Sequence, residues 1–509
     1  MKQPAWATVA LTSASALMLA LLAGCGTQAV NPVTGKTERL VMDERQEVAT
    51  GQKNHAEVIK EYGLYPDPKV QAYVNQLGQK LAAQSHRAGL TWHFTVLDSP
   101  EINAFALPGG YVYVTRGIMA YLDSEADLAG VIGHEIGHVT ARHGAQRATQ
   151  QQKAGLGVLA ASVLGAVLEA KGMSGAGRVA SEVSQNVAAG LIASYGREQE
   201  LQADALGAEY LARNQYDPAN MIDVITVLKN QERFAADRAR EAGKATPRQA
   251  GWLASHPSND QRLQDIRQIA AKYPAKPAQG SYVDEGKARY RQILDGVTFG
   301  ESPEQGVTRG QQFYHQGMGF AMTAPTGWSI QNGAQALTLI NPEGSAGLVV
   351  RPVPTELGRS HDQIIRSWVK PTQGQLQAKS INGLTASEFK GQRRNSQGQV
   401  QDIRLTLVDG PLNHQYVLMP SARDANVMAQ EWVELKAAEN SFRALTEADK
   451  AAARPWQIKT APYPRGGFAQ LARQSPLVQA PEAQLRLING FYGAGEPKPG
   501  ELVKVIVPR

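Results

Sequence analysis

The strongest constraint on this chain is a run of eight residues, Val131-Ile132-Gly133-His134-Glu135-Ile136-Gly137-His138. Two histidines and a glutamate interrupt an otherwise apolar stretch, and burying such groups without partners is costly. On a helix, residues four apart share a face, so His134 and His138 present ring nitrogens to one ion. Neutral imidazole suits Zn²⁺, and Glu135, next to the first ligand, reaches the open coordination position. There a carboxylate can take a proton from water and return it to a leaving amine. Ser124-Glu125-Ala126-Asp127 reads as the start of this helix, which continues through Leu128, Val131, Ile132, Ile136 and Val139.

A zinc site with two histidines needs another protein ligand. About sixty residues on, Glu200 and Asp204 lie four apart on a second predicted helix, again on one face. Glu200 can complete a His₂Glu site, and Asp204 can accept a hydrogen bond from a ligating imidazole. Glu198, on another face, reads as a solvated side chain.

Around these helices the chain reads as multidomain α+β. Val70 to Ala83 has helical apolar spacing, Trp92 to Leu97 alternates like a strand, and Ile102 to Thr115 forms two short strands around Leu107-Pro108-Gly109-Gly110. Residues 154 to 195 are rich in Ala, Gly, Val and Leu, but their apolar run is too short to span a bilayer upright. A buried helix, a surface helix dipping into membrane and a flap all fit that stretch, with the buried helix favoured. After Tyr273-Pro274-Ala275-Lys276-Pro277 a second domain is expected at 284–450. Its strand-like segments (Tyr314 to Ala324, Leu337 to Ile340, Leu348 to Val353, Gln401 to Val408, His414 to Met419) point to an α+β sandwich on an antiparallel sheet.

The N-terminus reads as a targeting segment, residues 1–24. Lys2 is followed by an apolar core from Ala7 to Ala23, then by Leu22-Ala23-Gly24-Cys25 around the only cysteine in the chain. This is the pattern of a signal peptide ending in a lipobox, with Cys25 the acylated first residue of the mature protein. Gly26 rather than Asp after it leans towards the outer membrane. With Cys25 lipidated, no disulfide forms within one chain, so stability rests on packing and metal. The net charge of +6 over 509 residues is mildly basic, and no run of Lys and Arg is interleaved with aromatics. Nucleic-acid binding therefore gets no support, whereas weak attraction to anionic headgroups stays open.

The His-Glu-x-x-His and Glu-Leu-Gln-Ala-Asp motifs closely resemble those of the HtpX/BepA-type gluzincin zinc metallopeptidases. So do Asn31-Pro32-Val33-Thr34-Gly35, Asn103-Ala104-Phe105-Ala106-Leu107-Pro108-Gly109-Gly110 and Ser255-His256-Pro257-Ser258. The resemblance covers residues 30 to 275 and implies a mainly helical, zincin-type peptidase domain with a small β-sheet at 25–283. It makes His134, His138 and Glu200 the ligands of one Zn²⁺ per chain and Glu135 the general base. It places Asp204 and Arg262 behind them, with His256 either a transition-state donor or an extra ligand closing the site. Asn103, Ala104, Phe105 and Ala106 would be the sheet edge along which substrate lies extended. Met318-Gly319-Phe320-Ala321-Met322 to Trp328 resembles the opening of small periplasmic PsbP/DcrB-type domains. Residues 456–509 resemble a diverged LysM module, a βααβ fold that in other proteins binds peptidoglycan, although its usual Gly-Asp-Thr turn is absent.

The reading that follows is a lipid-anchored endopeptidase on the periplasmic side of the cell envelope that hydrolyses misfolded or stalled periplasmic and outer-membrane proteins, with unfolded or assembling envelope proteins as its substrates. The rivals are a chaperone-like client-binding lipoprotein with little proteolysis, and a peptidoglycan hydrolase.

Overall fold

The computed structural model describes residues 27–152, 195–241, 243, 256, 260–274, 281–333, 336–394, 399–493 and 495–509. Cys25, the expected leader before it and the 154–194 stretch lie outside the described residues. The chain opens with a hairpin, β1 (Thr27–Val30) and β2 (Thr37–Leu40), followed by helices α1 (Glu44–Tyr62) and α2 (Pro68–Ala82). Asp67 caps α2 by accepting from the backbone of Lys69 and Val70, ahead of Pro68 at the first helical position.

Three strands follow: β3 (His93–Leu97), β4 (Ala104–Leu107) and β5 (Tyr111–Thr115). β5 is central, parallel to β3 and antiparallel to β4, which leaves β4 at the edge. Alternation decides what covers each face. Ala104, Ala106, Val112 and Val114 join the main core, whereas Phe105, Leu107, Tyr111 and Tyr113 pack with Val58 of α1.

A short helix, α3 (Arg116–Tyr121), leads to α4 (Glu125–Thr140). Ser124 Oγ accepts from the Asp127 backbone at 3.0 Å while the Asp127 carboxylate accepts from Ser124 N at 3.1 Å, the reciprocal cap that the sequence predicts. Every residue of α4 after Glu125 is buried, so the helix runs through the centre of the domain. Helices α5 (Arg197–Arg213) and α6 (Asn220–Glu241) pack against it, and α7 (Asp260–Ala270) packs on those two.

The break expected near residue 284 is not a break in packing. Helix α8 (Lys287–Leu294) and strand β6 (Thr298–Phe299) bury Tyr290, Leu294, Val297 and Phe299 in the same core as α4. Arg116 fastens this junction: its Nε donates to Asp98 Oδ1 at 2.6 Å and its Nη1 to the carbonyls of Thr298 and Gly300.

Strands β7 (Val307–Arg309), β8 (Gln312–His315) and β9 (Phe320–Thr323) then form a small sheet. The Tyr314 to Ala324 stretch, expected as one strand, is thus a hairpin that reverses where Gly319 adopts a φ of 74°. A seven-stranded antiparallel sheet follows, built from β10 (Ser329–Asn332), β11 (Leu337–Ile340), β12 (Ala346–Pro352), β13 (Gln373–Ile381), β14 (Leu384–Arg394), β15 (Val400–Asp409) and β16 (Gln415–Ala422), in the order β10-β11-β12-β16-β15-β14-β13. Tyr416 and Leu418 face one apolar layer with Leu435 of α9 (Trp432–Asn440), and Val417 faces the other with Leu405 and Leu407. The sequence reading has no strand at 373–394, because β13 is mostly exposed and polar and offers no apolar alternation.

The tail has the expected β-α-α-β order: β17 (Trp456–Pro462), α10 (Gly467–Gln474), α11 (Pro481–Ile488) and β18 (Leu502–Pro508). β17 pairs with both β18 and β6, and Ile458, Phe468, Leu485, Val503 and Ile506 belong to the core that holds α4. The tail is therefore packed into the helical domain.

Lys504 of β18 is fully buried and donates to the carbonyls of Ala120 at 3.0 Å and Leu122 at 2.7 Å. Burial pulls its amine down to about 8 from 10.5 in the unfolded chain. The unfolded state then holds the extra proton between pH 8 and 10.5, so this group makes stability rise with pH in that window and leaves a constant penalty below it. Urea unfolding across pH 7–10 should show wild type gaining on Lys504→Met by up to about 1.4 kcal/mol per pH unit above pH 8. Parallel profiles would mean that the amine is not desolvated as described.

Candidate metal centre and active site

The helix α4 carries His134, Glu135 and His138 inward, and α5 crosses it closely enough to bring Glu200 opposite. Small residues permit the approach: a Cβ on Gly137 would sit 3.0 Å from the Ala203 carbonyl oxygen, and one on Gly207 3.1 Å from His134 N. Nε2 of His134 lies 3.0 Å from Nε2 of His138 and 3.7 Å from Glu200 Oε2, while His138 Nε2 is 3.5 Å from Glu200 Oε1. His256 Nε2 lies 4.0 Å from Glu200 Oε1 and 3.7 Å from Glu135 Oε1. Taken together, His134, His138, Glu200 and His256 each offer one ligand atom within 4.8 Å of the others, and all four are buried.

These spacings fit a tetrahedral cation. Zinc bonds of ~2.0–2.1 Å at tetrahedral angles put neighbouring ligand atoms about 3.3 Å apart. Charge points the same way. Glu135, Glu200 and Asp204 are buried carboxyls, and Arg262 is the guanidinium set among them. Three negative charges against one positive leave room for a divalent cation. Without it, burial pushes the Glu200 carboxyl well above the usual carboxylate range, against the pull of Arg262. Burial also lowers His134, and lowers His138 further with help from the neighbouring histidines, so both rings are neutral and able to ligate.

Behind the ligands each ring has its own partner. His134 Nδ1 lies 2.9 Å from Asp204 Oδ1, and Arg262 grips Asp204 from the first turn of α7 through Nε and Nη2, both at 2.8 Å. Burial raises the Asp204 carboxyl, but Arg262 outweighs it and holds the group below the usual range. Arg262 Nη1 lies 2.9 Å from Glu200 Oε2 and donates to the His256 carbonyl at 3.4 Å, so one side chain ties three site residues together. His138 Nδ1 instead lies 2.9 Å from His143 Nδ1. Burial drops His143 to about 4, which keeps it neutral.

The structure thus brings together all of the sequence-predicted residues of the centre: His134, Glu135, His138, Glu200, Asp204, His256 and Arg262. Glu198 is exposed. Asn103 and the edge strand β4 with Ala104, Phe105 and Ala106 lie beside α4, and Asn103 Oδ1 is buried without a hydrogen-bond partner among the described residues. Sequence reasoning missed His143 and Tyr195, whose ring stacks on His138 with centroids 4.0 Å apart. Spacing hid His143, since five residues along a continuous helix would turn it about 140° away from His138.

The glycine contact gives a test. Gly137→Leu gains about 0.8–1 kcal/mol of helix propensity, yet the crowding at Ala203 should give a net loss of about 1–3 kcal/mol. Thermal unfolding and metal analysis should show a lower Tm and less than one zinc per chain. A variant as stable and as zinc-loaded as wild type would contradict the packing described.

Comparison with known proteins bears on the same region. Residues 68–270 match the model of Peptidase family M48. The chain is 29% identical over 282 residues to the beta-barrel assembly-enhancing protease of Yersinia pestis, covering 53% of this chain and 55% of that one. It is 33% identical over 208 residues to the protein of that name from Escherichia coli (strain K12), covering 41% and 40%. The mitochondrial metalloendopeptidase OMA1 of Arabidopsis thaliana is 29% identical over 240 residues, 47% of this chain and 42% of that one. The chain thus spans about half the length of these curated relatives. Cyanobacterial PsbP from Synechocystis aligns with 27% of this chain and 95% of its own at 13% identity, with a TM-score of 0.20, too low to argue a shared fold. The match encloses α4, α5 and α7 with every ligand atom gathered above, and on that ground the chain carries a domain of peptidase family M48.

Proposed function

We propose that this protein is a zinc-dependent endopeptidase of the cell envelope that hydrolyses misfolded or stalled periplasmic and outer-membrane proteins. One observation carries the reading: four buried ligand atoms within 4.8 Å, with the Glu135 carboxylate beside them. His134, His138 and Glu200 would hold one Zn²⁺, which when bound supplies Lewis acidity towards water and a peptide carbonyl. Glu135 takes the proton of the attacking water on its carboxylate and delivers it to the leaving amide nitrogen. Asp204 orients His134, and Arg262 keeps Asp204 ionised. The edge of β4, which has no strand paired to it among the described residues, receives an extended substrate from Asn103 to Ala106 through backbone hydrogen bonds, which tolerates many side chains. His256 stands where a fourth ligand would close the site and acts as a removable plug.

The remaining assignments belong to the same reading. Cys25 carries the lipid that anchors the chain on the periplasmic face of the outer membrane, which loss of lipid labelling in Cys25→Ser would test. Among the described residues no helix is long and apolar enough to cross a membrane. The 284–450 region acts as a PsbP/DcrB-like domain, and the β-α-α-β tail as a diverged LysM module that contacts peptidoglycan. Failure of the full chain to sediment with murein sacculi would remove that contact.

Metal analysis of the full chain alongside casein degradation tests the central claim. Glu135→Gln should keep about one zinc per chain and lose about 10²–10⁴-fold of the proteolytic rate. His138→Ala and Glu200→Gln should lose zinc and activity together. His256→Ala should cleave casein faster than wild type. Slower cleavage would make His256 a transition-state donor instead. Undiminished cleavage by Glu135→Gln would sink the mechanism and leave the client-binding reading in front.

A further inference from the structure

The Asn31-Pro32-Val33-Thr34-Gly35 segment turns the hairpin between β1 and β2, and its first side chain is buried. Asn31 Oδ1 accepts from the backbone N–H of Val33 at 3.0 Å and of Thr34 at 3.1 Å. That Asx turn settles which atom of the amide is oxygen, so Nδ2 is the donor. At 2.9 Å it meets Gln202 Oε1. The same oxygen lies 3.1 Å from His143 Nε2, which must carry a proton to bond to it. A neutral imidazole carries one proton, so His143 Nδ1 keeps its lone pair. The proton in the 2.9 Å contact between His143 Nδ1 and His138 Nδ1 therefore belongs to His138. Its Nε2 is left with the free lone pair, aimed at His134 and Glu200.

The backbone is bent to make this contact. Arg142, between the end of α4 and His143, has a φ of 56°, a conformation that non-glycine residues adopt at a cost. Its guanidinium is held 3.4 Å from Glu47 and 3.6 Å from Glu44 on α1. Strain of this kind persists where the surroundings over-determine it. Here its result is to swing His143 back beneath a residue five positions earlier.

We propose that Asn31, Gln202 and His143 form a positioning relay that fixes the tautomer and orientation of His138, making the N-terminal hairpin part of the metal centre. The inference rests on the reading of His138 as a zinc ligand. The two histidines of the motif are then supported unequally, His134 by a carboxylate locked to Arg262 and His138 by a neutral chain that ends in a turn.

Zinc affinity of the full chain, measured by competition with a chromogenic chelator, tests the relay, and the visible spectrum of cobalt(II)-substituted protein reports ligand geometry directly. His143→Leu should weaken zinc binding by about 10–100-fold and shift the cobalt bands. His143→Asn, whose Oδ1 stands where Nδ1 stood, should restore both to within about threefold of wild type. Gln202→Leu should weaken binding similarly, and Gln202→Glu, which still accepts from Asn31 and His143, should not. Wild-type affinity and spectrum in His143→Leu, with metal lost in His138→Ala, would overturn the relay and leave the zinc reading standing. Metal binding indifferent to His138→Ala would overturn both. If His143→Leu does not fold, Gln202→Leu on the separate helix α5 decides between the same outcomes.

Discussion

The pairing of Arg262 with Asp204 is the interaction on which the centre depends. Both side chains are buried, and each would be costly there alone. Their two hydrogen bonds join α7 to α5, and the bond from Asp204 to His134 extends the tie to α4. Three helices from distant parts of the chain are thereby set in register by one guanidinium. Removing Asp204 leaves Arg262 with Glu200 and the His256 carbonyl, and removing Arg262 leaves Asp204 only His134; breaking other buried pairs costs about 3–5 kcal/mol.

The centre was legible in the sequence to the extent that its residues obey helical spacing. His134 and His138, then Glu200 and Asp204, are four apart, and a helix puts each pair on one face. His256 and Arg262 were reached by resemblance, since nothing in local spacing carries a loop histidine to a metal. His143 and Tyr195 were not reached, because a left-handed residue and a tertiary stack bring them in. Periodicity is blind to both.

The fold was legible in the same uneven way. Apolar strands announced themselves, as β4 and β5, buried on both faces, did. The polar strand β13 did not, because it lies at the margin of the sheet with most of its side chains exposed, held largely by backbone pairing to β14. The division into units was overdrawn near residue 284. Composition changes there, but Tyr290 and Leu294 still point into the older core. A linker-like stretch marks where a chain can bend, and burial decides where a domain ends.

The seating of Lys504 against Ala120 and Leu122 has a consequence for how the chain reaches this state. The two ends of that contact are 384 residues apart in sequence. A chain emerging from synthesis or translocation in the N-to-C direction holds the metal ligands long before it holds the strand that closes their core. Loop-closure entropy and high contact order make such late, non-local closure slow. The core that holds the metal ligands is thus closed only once β18 has reached it.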